Sequence, residues 1–123
     1  MGILGLGWAG LKVRDRAAAA RFFAGTLGME QVRASDLRDD TVFRLPSGQM
    51  IELFGPQSAE YTLHDSAVVA GFEVDDVEAF RRDMSERGVE FVTEVEGGPK
   101  YGRWCYFRGP EGGLFQVFSR AKE

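Results

Sequence analysis

The chain has 123 residues and a mass of 13.6 kDa, a length for about one domain. Hydrophobic residues make up 44% and charged residues 28%, which is a globular mix and excludes a disordered or collagen-like chain. The net charge of −4 argues against nucleic acid or an anionic membrane surface as a partner. One cysteine, Cys105, excludes an internal disulfide and a multi-cysteine zinc site, and one histidine, His64, excludes a two-histidine site within one copy. No apolar run reaches the roughly 20 residues that span a bilayer, and the apolar start lacks a basic leader segment. A cytoplasmic protein is expected.

The first apolar stretch, Leu4–Val13, reads as a strand. Asp15 is a suitable helix cap, and Arg16–Thr26 follows with Ala19, Phe22, Phe23 and Leu27 on one face. Gly28 would end that helix. Three short strands come next, Met29–Arg33, Thr41–Leu45 and Met50–Phe54, and the charged run Arg33–Asp40 reads as a solvated hairpin loop. The pattern then recurs. Val68–Val74 reads as a strand, and a helix starting at Asp75 or Asp76 carries Val77, Phe80 and Met84 on its apolar stripe and ends at Gly88. Strands Val89–Val95, Arg103–Phe107 and Leu114–Phe118 complete the set, and Glu94–Gly102 reads as a flexible loop.

The two halves also share residues. Val13-x-Asp15 lies 61 positions before Val74-x-Asp76, and Pro46-x-Gly48 lies 64 before Pro110-x-Gly112. The expected fold class is α+β, two tandem βαβββ modules in one domain over 1–123. Module one covers 1–55, a linker 56–67 and module two 68–123. Side chains alternate faces along a strand, so Glu52 and Gln116 stand as lone polar groups on matching apolar strands. Glu52 either faces water or points into a concavity. Gly5-x-Gly7-x-x-Gly10 spells a dinucleotide fingerprint, but Leu11–Val13 continues as strand where that motif needs a helix. His64 in the linker reads as a solvated residue or a base that could swing inward, and Cys105 as a small core residue.

The stretches WAGLKVRD, RFF, LGM, LPSGQMIELFG, GFEVDDVEAF, RGVEF and FRGPEGGLFQVF resemble the glyoxalase/bleomycin-resistance/dioxygenase superfamily, also called vicinal oxygen chelate proteins. The resemblance implies curved mixed sheets that enclose a cavity. It also implies four positions that hold a divalent metal in the enzymes of the family, and these fall on Trp8, Glu52, Val69 and Gln116. Trp8 has only an N–H donor and Val69 has no polar group, so metal binding is disfavoured and no cofactor is expected. The candidate ligand-binding residues are Trp8, Glu52, Phe54, Val69, Gln116, Phe118 and Arg103, with Glu52 the candidate catalytic acid or base. Three readings stay open: metal-free binding of a small aromatic or cationic compound, a metal-independent enzyme using Glu52, and a metal-dependent lyase, isomerase or dioxygenase. A chain this short, and the resemblance, imply a homodimer.

Overall fold

The computed structural model describes residues 2–121. The fold is α+β, as expected, and it divides into two compact units. The first unit is Gly7–Val69. The second takes the residues up to Leu6 and those from Ala70 onward.

In the first unit the strands are β1 (Gly5–Lys12, from Gly7 on), β2 (Glu30–Ser35), β3 (Asp40–Arg44) and β4 (Met50–Phe54). Their order is β2-β3-β4-β1, with β1 parallel to β4 and the other neighbours antiparallel. Glycines at 5, 7 and 10 are therefore strand residues, and no phosphate-binding turn forms there. Helix α1 (Arg16–Arg21) is capped by Asp15, whose side chain accepts from the Ala18 amide. It stops short of the expected Thr26: Phe22–Thr26 widens into a π turn closed by Leu27 N–H to the Phe22 carbonyl. Gly25 and Thr26 are weak helix formers, and the wider turn lets Phe23 pack on Phe43 with ring centres 5.9 Å apart. Phe43 and Leu53 are fully buried on this side of the sheet.

One irregularity matters below. Gln31 pairs with Phe43, but Arg33 pairs with Val42, so Val32 is an extra residue in a β-bulge. The linker has secondary structure of its own. It carries α2 (Ala59–Leu63), capped by Ser58, and ends on a His64 that is fully buried rather than solvated. Lys12 ties this end of the linker down: its ammonium donates to the His64 carbonyl at 2.8 Å and lies 4.5 Å from the Tyr61 ring centre.

In the second unit β5 (Val68–Glu73, from Ala70 on), β6 (Glu90–Phe91), β8 (Gly102–Arg108) and β9 (Leu114–Ser119) run in the order β5-β9-β8-β6. Helix α3 (Val77–Glu86) starts at Asp76, which caps the Ala79 amide. It buries Val77 and Phe80 against Cys105 and Val117, so Cys105 is a core residue as expected. Burial pushes its thiol up to about 12, which leaves it protonated and inert. The expected strand Val89–Val95 breaks after two residues. The Tyr106 amide there takes the Thr93 hydroxyl as acceptor in place of a backbone carbonyl. The expected flexible loop contains β7 (Glu96–Gly98), which pairs with β8. Gly97 has φ of 86°, and a Cβ there would strike the Gly102 carbonyl, so glycine is required. Among the described residues, no helix is long and apolar enough to cross a membrane.

Candidate functional site

Strand pairing fixes what shares a face in the first unit. Gly10, Glu52, Val42 and Arg33 lie in one row across β1, β4, β3 and β2. Trp8 and Met50 lie two residues to one side, and Lys12, Phe54 and Asp40 two residues to the other. Directly paired residues project to the same side, so these side chains share the face opposite Phe43 and Leu53. The face opposite the helix is thus built of Trp8, Val42, Phe54, Glu52, Asp40 and Arg33. Without the bulge at Val32, Arg33 would pair with Thr41 and turn to the helix side.

Glu52 is the centre of this group. The Trp8 indole N–H donates to Glu52 Oε1 at 3.1 Å. Arg33 Nη2 lies 3.4 Å from Glu52 Oε2 and 3.4 Å from Asp40 Oδ2, so one guanidinium bridges two carboxyl groups. Arg38 Nε adds a second cation 3.5 Å from Asp40 Oδ2. The Asp40 side chain is only 1% exposed, and its Oδ1 is buried with no hydrogen-bond partner. The Glu52 side chain is 14% exposed. Burial, and then the neighbouring Asp40 carboxyl, push the Glu52 pKa up to about 8, while Trp8 and Arg33 hold it down.

The aromatic part of the site is packed. Trp8 is 6% exposed. Its ring lies 6.1 Å from Phe54 and 6.1 Å from His64, edge-on to the latter, and Phe54 and His64 are 5.1 Å apart. Gly10 makes room for this: a Cβ there would overlap the Trp8 ring and come within 2.8 Å of His64 Cε1. Burial and nearby Lys12 lower His64 to about 4, so it is neutral at pH 7.

The structure thus groups three of the candidates, Trp8, Glu52 and Phe54, on one face of the first unit. Val69 belongs to the same unit and is fully buried. Gln116, Phe118 and Arg103 belong to the second unit. Gln116 and Phe118 share a face of β9, where Gln116 Nε2 donates to the Tyr106 hydroxyl at 3.2 Å. Arg103 lies on the other face, with Cys105, and pairs with Glu78 of α3 at 3.3 Å. The run Arg33–Asp40, expected as a solvated loop, instead supplies three charges to the site, Arg33, Arg38 and Asp40. Sequence reading missed Arg33 and Asp40, and of the two readings of His64, solvated or turned inward, the structure shows it buried against Trp8 and Phe54. The signal for Asp40 was its place at the start of an apolar strand, two residues before Val42 and in register with Phe54.

A divalent ion wants several oxygen or nitrogen ligands converging on one point. Among the described residues no three His, Cys, Asp or Glu side chains group in that way. At two of the four positions implied by the resemblance stand Trp8 and Val69, which have no lone pair to offer. The residues present do not fit such an ion, and none is assigned here as a metal ligand.

The sequence matches the Glyoxalase/Bleomycin resistance protein/Dioxygenase superfamily over residues 5–117. The chain belongs to this superfamily. Solved structures of other superfamily-like proteins share the fold. Methylmalonyl-CoA epimerase from Mycobacterium tuberculosis is 23% identical with a TM-score of 0.76, over 97% of this chain and 89% of that one. A hypothetical protein from Bacillus halodurans C-125 is 16% identical with a TM-score of 0.76, over 97% and 96%. A superfamily member from Vibrio splendidus 12B01 is 19% identical with a TM-score of 0.67, over 90% and 95%. No curated protein matches the sequence.

Proposed function

We propose that this superfamily member binds a small aromatic or cationic compound, without a metal, on the helix-free face of its first unit. The observation that carries the reading is the Trp8–Glu52 hydrogen bond. At two positions where the resemblance implies metal ligands, an indole and a carboxyl are instead joined to each other, on a face otherwise lined by Phe54 and Val42. Such a face combines an aromatic wall, almost wholly buried, with one oriented polar anchor, the Glu52 carboxyl, which is 14% exposed. The test is a titration with phenols, indoles and benzylammonium salts, followed by the Trp8 indole N–H resonance, with and without EDTA. The expected result is saturable binding that EDTA leaves unchanged and Glu52→Gln weakens. Binding that requires added zinc, manganese or iron would overturn it.

A second reading is favoured by one observation. A carboxyl titrating near 8 is partly protonated and partly ionised at neutral pH, the condition for general acid–base work. Under that reading Glu52→Gln lowers turnover by roughly 10²–10⁴ while binding falls little. The homodimer belongs to the same proposal. Phe22 and Leu27 are half exposed on the first unit, which supports burial against a second copy. Size-exclusion chromatography at micromolar concentration checks it, and a stable monomer refutes it. The cytoplasm is the compartment we propose for it.

A further inference from the structure

The carboxyl that could attract a cation is already surrounded. Glu52 and Asp40 sit on neighbouring strands at diagonal positions, and Arg33 Nη2 stands 3.4 Å from each. Arg38 reaches Asp40 at 3.5 Å. The charged groups facing the pair are Arg33 on β2 and Arg38 in the β2–β3 turn. Arg16 of α1 reaches Asp40 only through its backbone carbonyl, at 3.0 Å. β1 contributes the neutral Trp8 N–H and, in the row of Asp40, Lys12, whose ammonium is turned to the His64 carbonyl at 2.8 Å. Two carboxylates against two guanidinium groups leave no net negative charge. If the two carboxyls share a proton the balance turns positive. Asp40 Oδ1 supports that sharing, because it is buried and lacks a donor, and a buried oxygen without a donor is costly. The adjacent carboxyl is the group able to supply one.

We propose that Arg33 and Asp40 are specificity-determining residues of the site: Arg33 offsets the charge of Glu52 and Asp40 holds the guanidinium against it, so that Glu52 takes an uncharged aromatic compound through a hydrogen bond and rejects a cation. This rests on the binding reading above and narrows its ligand to one class. Glu52 Oε1 already accepts from a neutral aromatic N–H, that of Trp8, and the ligand's hydroxyl or N–H is a group of the same kind. Arg33 acts by removing the attraction that an isolated buried carboxylate would exert on an ammonium group. Asp40 acts through Glu52 and is a positioning residue.

The test compares benzyl alcohol with benzylammonium, a pair of like shape and different charge, followed by the Trp8 indole N–H resonance. The wild-type chain is expected to prefer the alcohol by about tenfold, and Arg33→Gln to lose that preference, because Arg33 is the guanidinium beside Glu52 whereas Arg38 reaches Asp40. A wild-type preference for benzylammonium, or an unchanged ratio in Arg33→Gln, overturns the proposal. A second measurement uses the free protein, with carboxyl carbons of Asp and Glu labelled. The Glu52 signal is expected to titrate well above the ordinary carboxylate range. In Asp40→Asn the Glu52 midpoint should fall by about one to two pH units. Independent titration of Glu52 in the ordinary carboxylate range, or a midpoint unmoved in Asp40→Asn, overturns the charge cancellation even if Asp40→Asn folds poorly, since the first outcome is read in wild type. If neither probe binds while the Glu52 midpoint is raised in wild type and falls in Asp40→Asn, the binding reading fails and the proposed selectivity falls with it, while the carboxyl pair stands.

Discussion

The indole N–H of Trp8 points at Oε1 of Glu52 across 3.1 Å, from residues 44 apart in sequence and on parallel neighbouring strands. A hydrogen bond to a carboxylate favours its ionised form, so Trp8 holds Glu52 lower than burial alone would. Trp8→Phe keeps a ring and removes the donor. The Glu52 midpoint should rise above about 8, which carboxyl-carbon NMR measures directly. A fall instead would mean that Trp8 acts chiefly by excluding water.

Glu52 makes stability depend on pH in a defined window. Its folded pKa is raised to about 8 from the ordinary 4.5, so the native state holds a proton that the unfolded chain releases. Stability from this group is full below about 4.5 and is lost as pH rises through about 8. His64 works the other way, because its pKa falls from 6.5 to about 4 and its contribution grows as pH rises between them. Above 6.5 only Glu52 of the two still changes. Urea unfolding between pH 6.5 and 8 should therefore show a decline of up to about 2 kcal/mol, absent in Glu52→Gln. A flat wild-type profile would place the Glu52 proton elsewhere.

Arg16 ties three segments of the first unit together. It pairs with Asp39 at 2.7 Å and with Asp36 at 2.7 Å, and donates to the Asp40 carbonyl and the Thr41 hydroxyl. Asp39 in turn accepts from the Gln57 amide, the main reason its pKa is lowered, and so anchors the linker. Asp36 is fully exposed and contributes little. Arg16→Ala leaves Asp39 and the Thr41 hydroxyl without that partner, and should cost about 2–4 kcal/mol in chemical denaturation. Asp36→Ala should cost less than about 1 kcal/mol.

Gly10 is the space under the site. Gly10→Ala pushes a methyl group into the Trp8 ring and His64, and both are held by Phe54 and the linker. The expected cost is about 1–3 kcal/mol, with a shifted Trp8 indole resonance and weaker ligand binding. Gly5→Ala is the control, because a Cβ there meets nothing within 4 Å.

Local pattern carried the elements that alternate cleanly. Met50–Phe54 is a strand with the expected bounds, and the partnership of face between Trp8 and Glu52 follows from the two-residue period and the internal repeat. Charged residues were harder to place. Arg33 and Asp40 look solvated because their neighbours Asp36, Arg38 and Asp39 are polar. Their facing depends on a bulge and on partners across three strands, which no local window contains. His64 was hard to place for a similar reason: the rings packed on it, Trp8 and Phe54, come from two other strands. Arg103 misled in the opposite sense, since only the pairing with Ser119 reveals that it faces α3 and Glu78.

The extra residue at Val32 works as a phase buffer along β2. Regular pairing of the same residues would set Val32 beside Val42 and rotate every later side chain of the strand by half a period. Because the slack is taken up at that point, the stretch after it inherits its orientation from the hairpin with β3, and the stretch before it from the turn that follows the helix. The guanidinium thereby stays on the side of its two acids whatever the pairing before Val32.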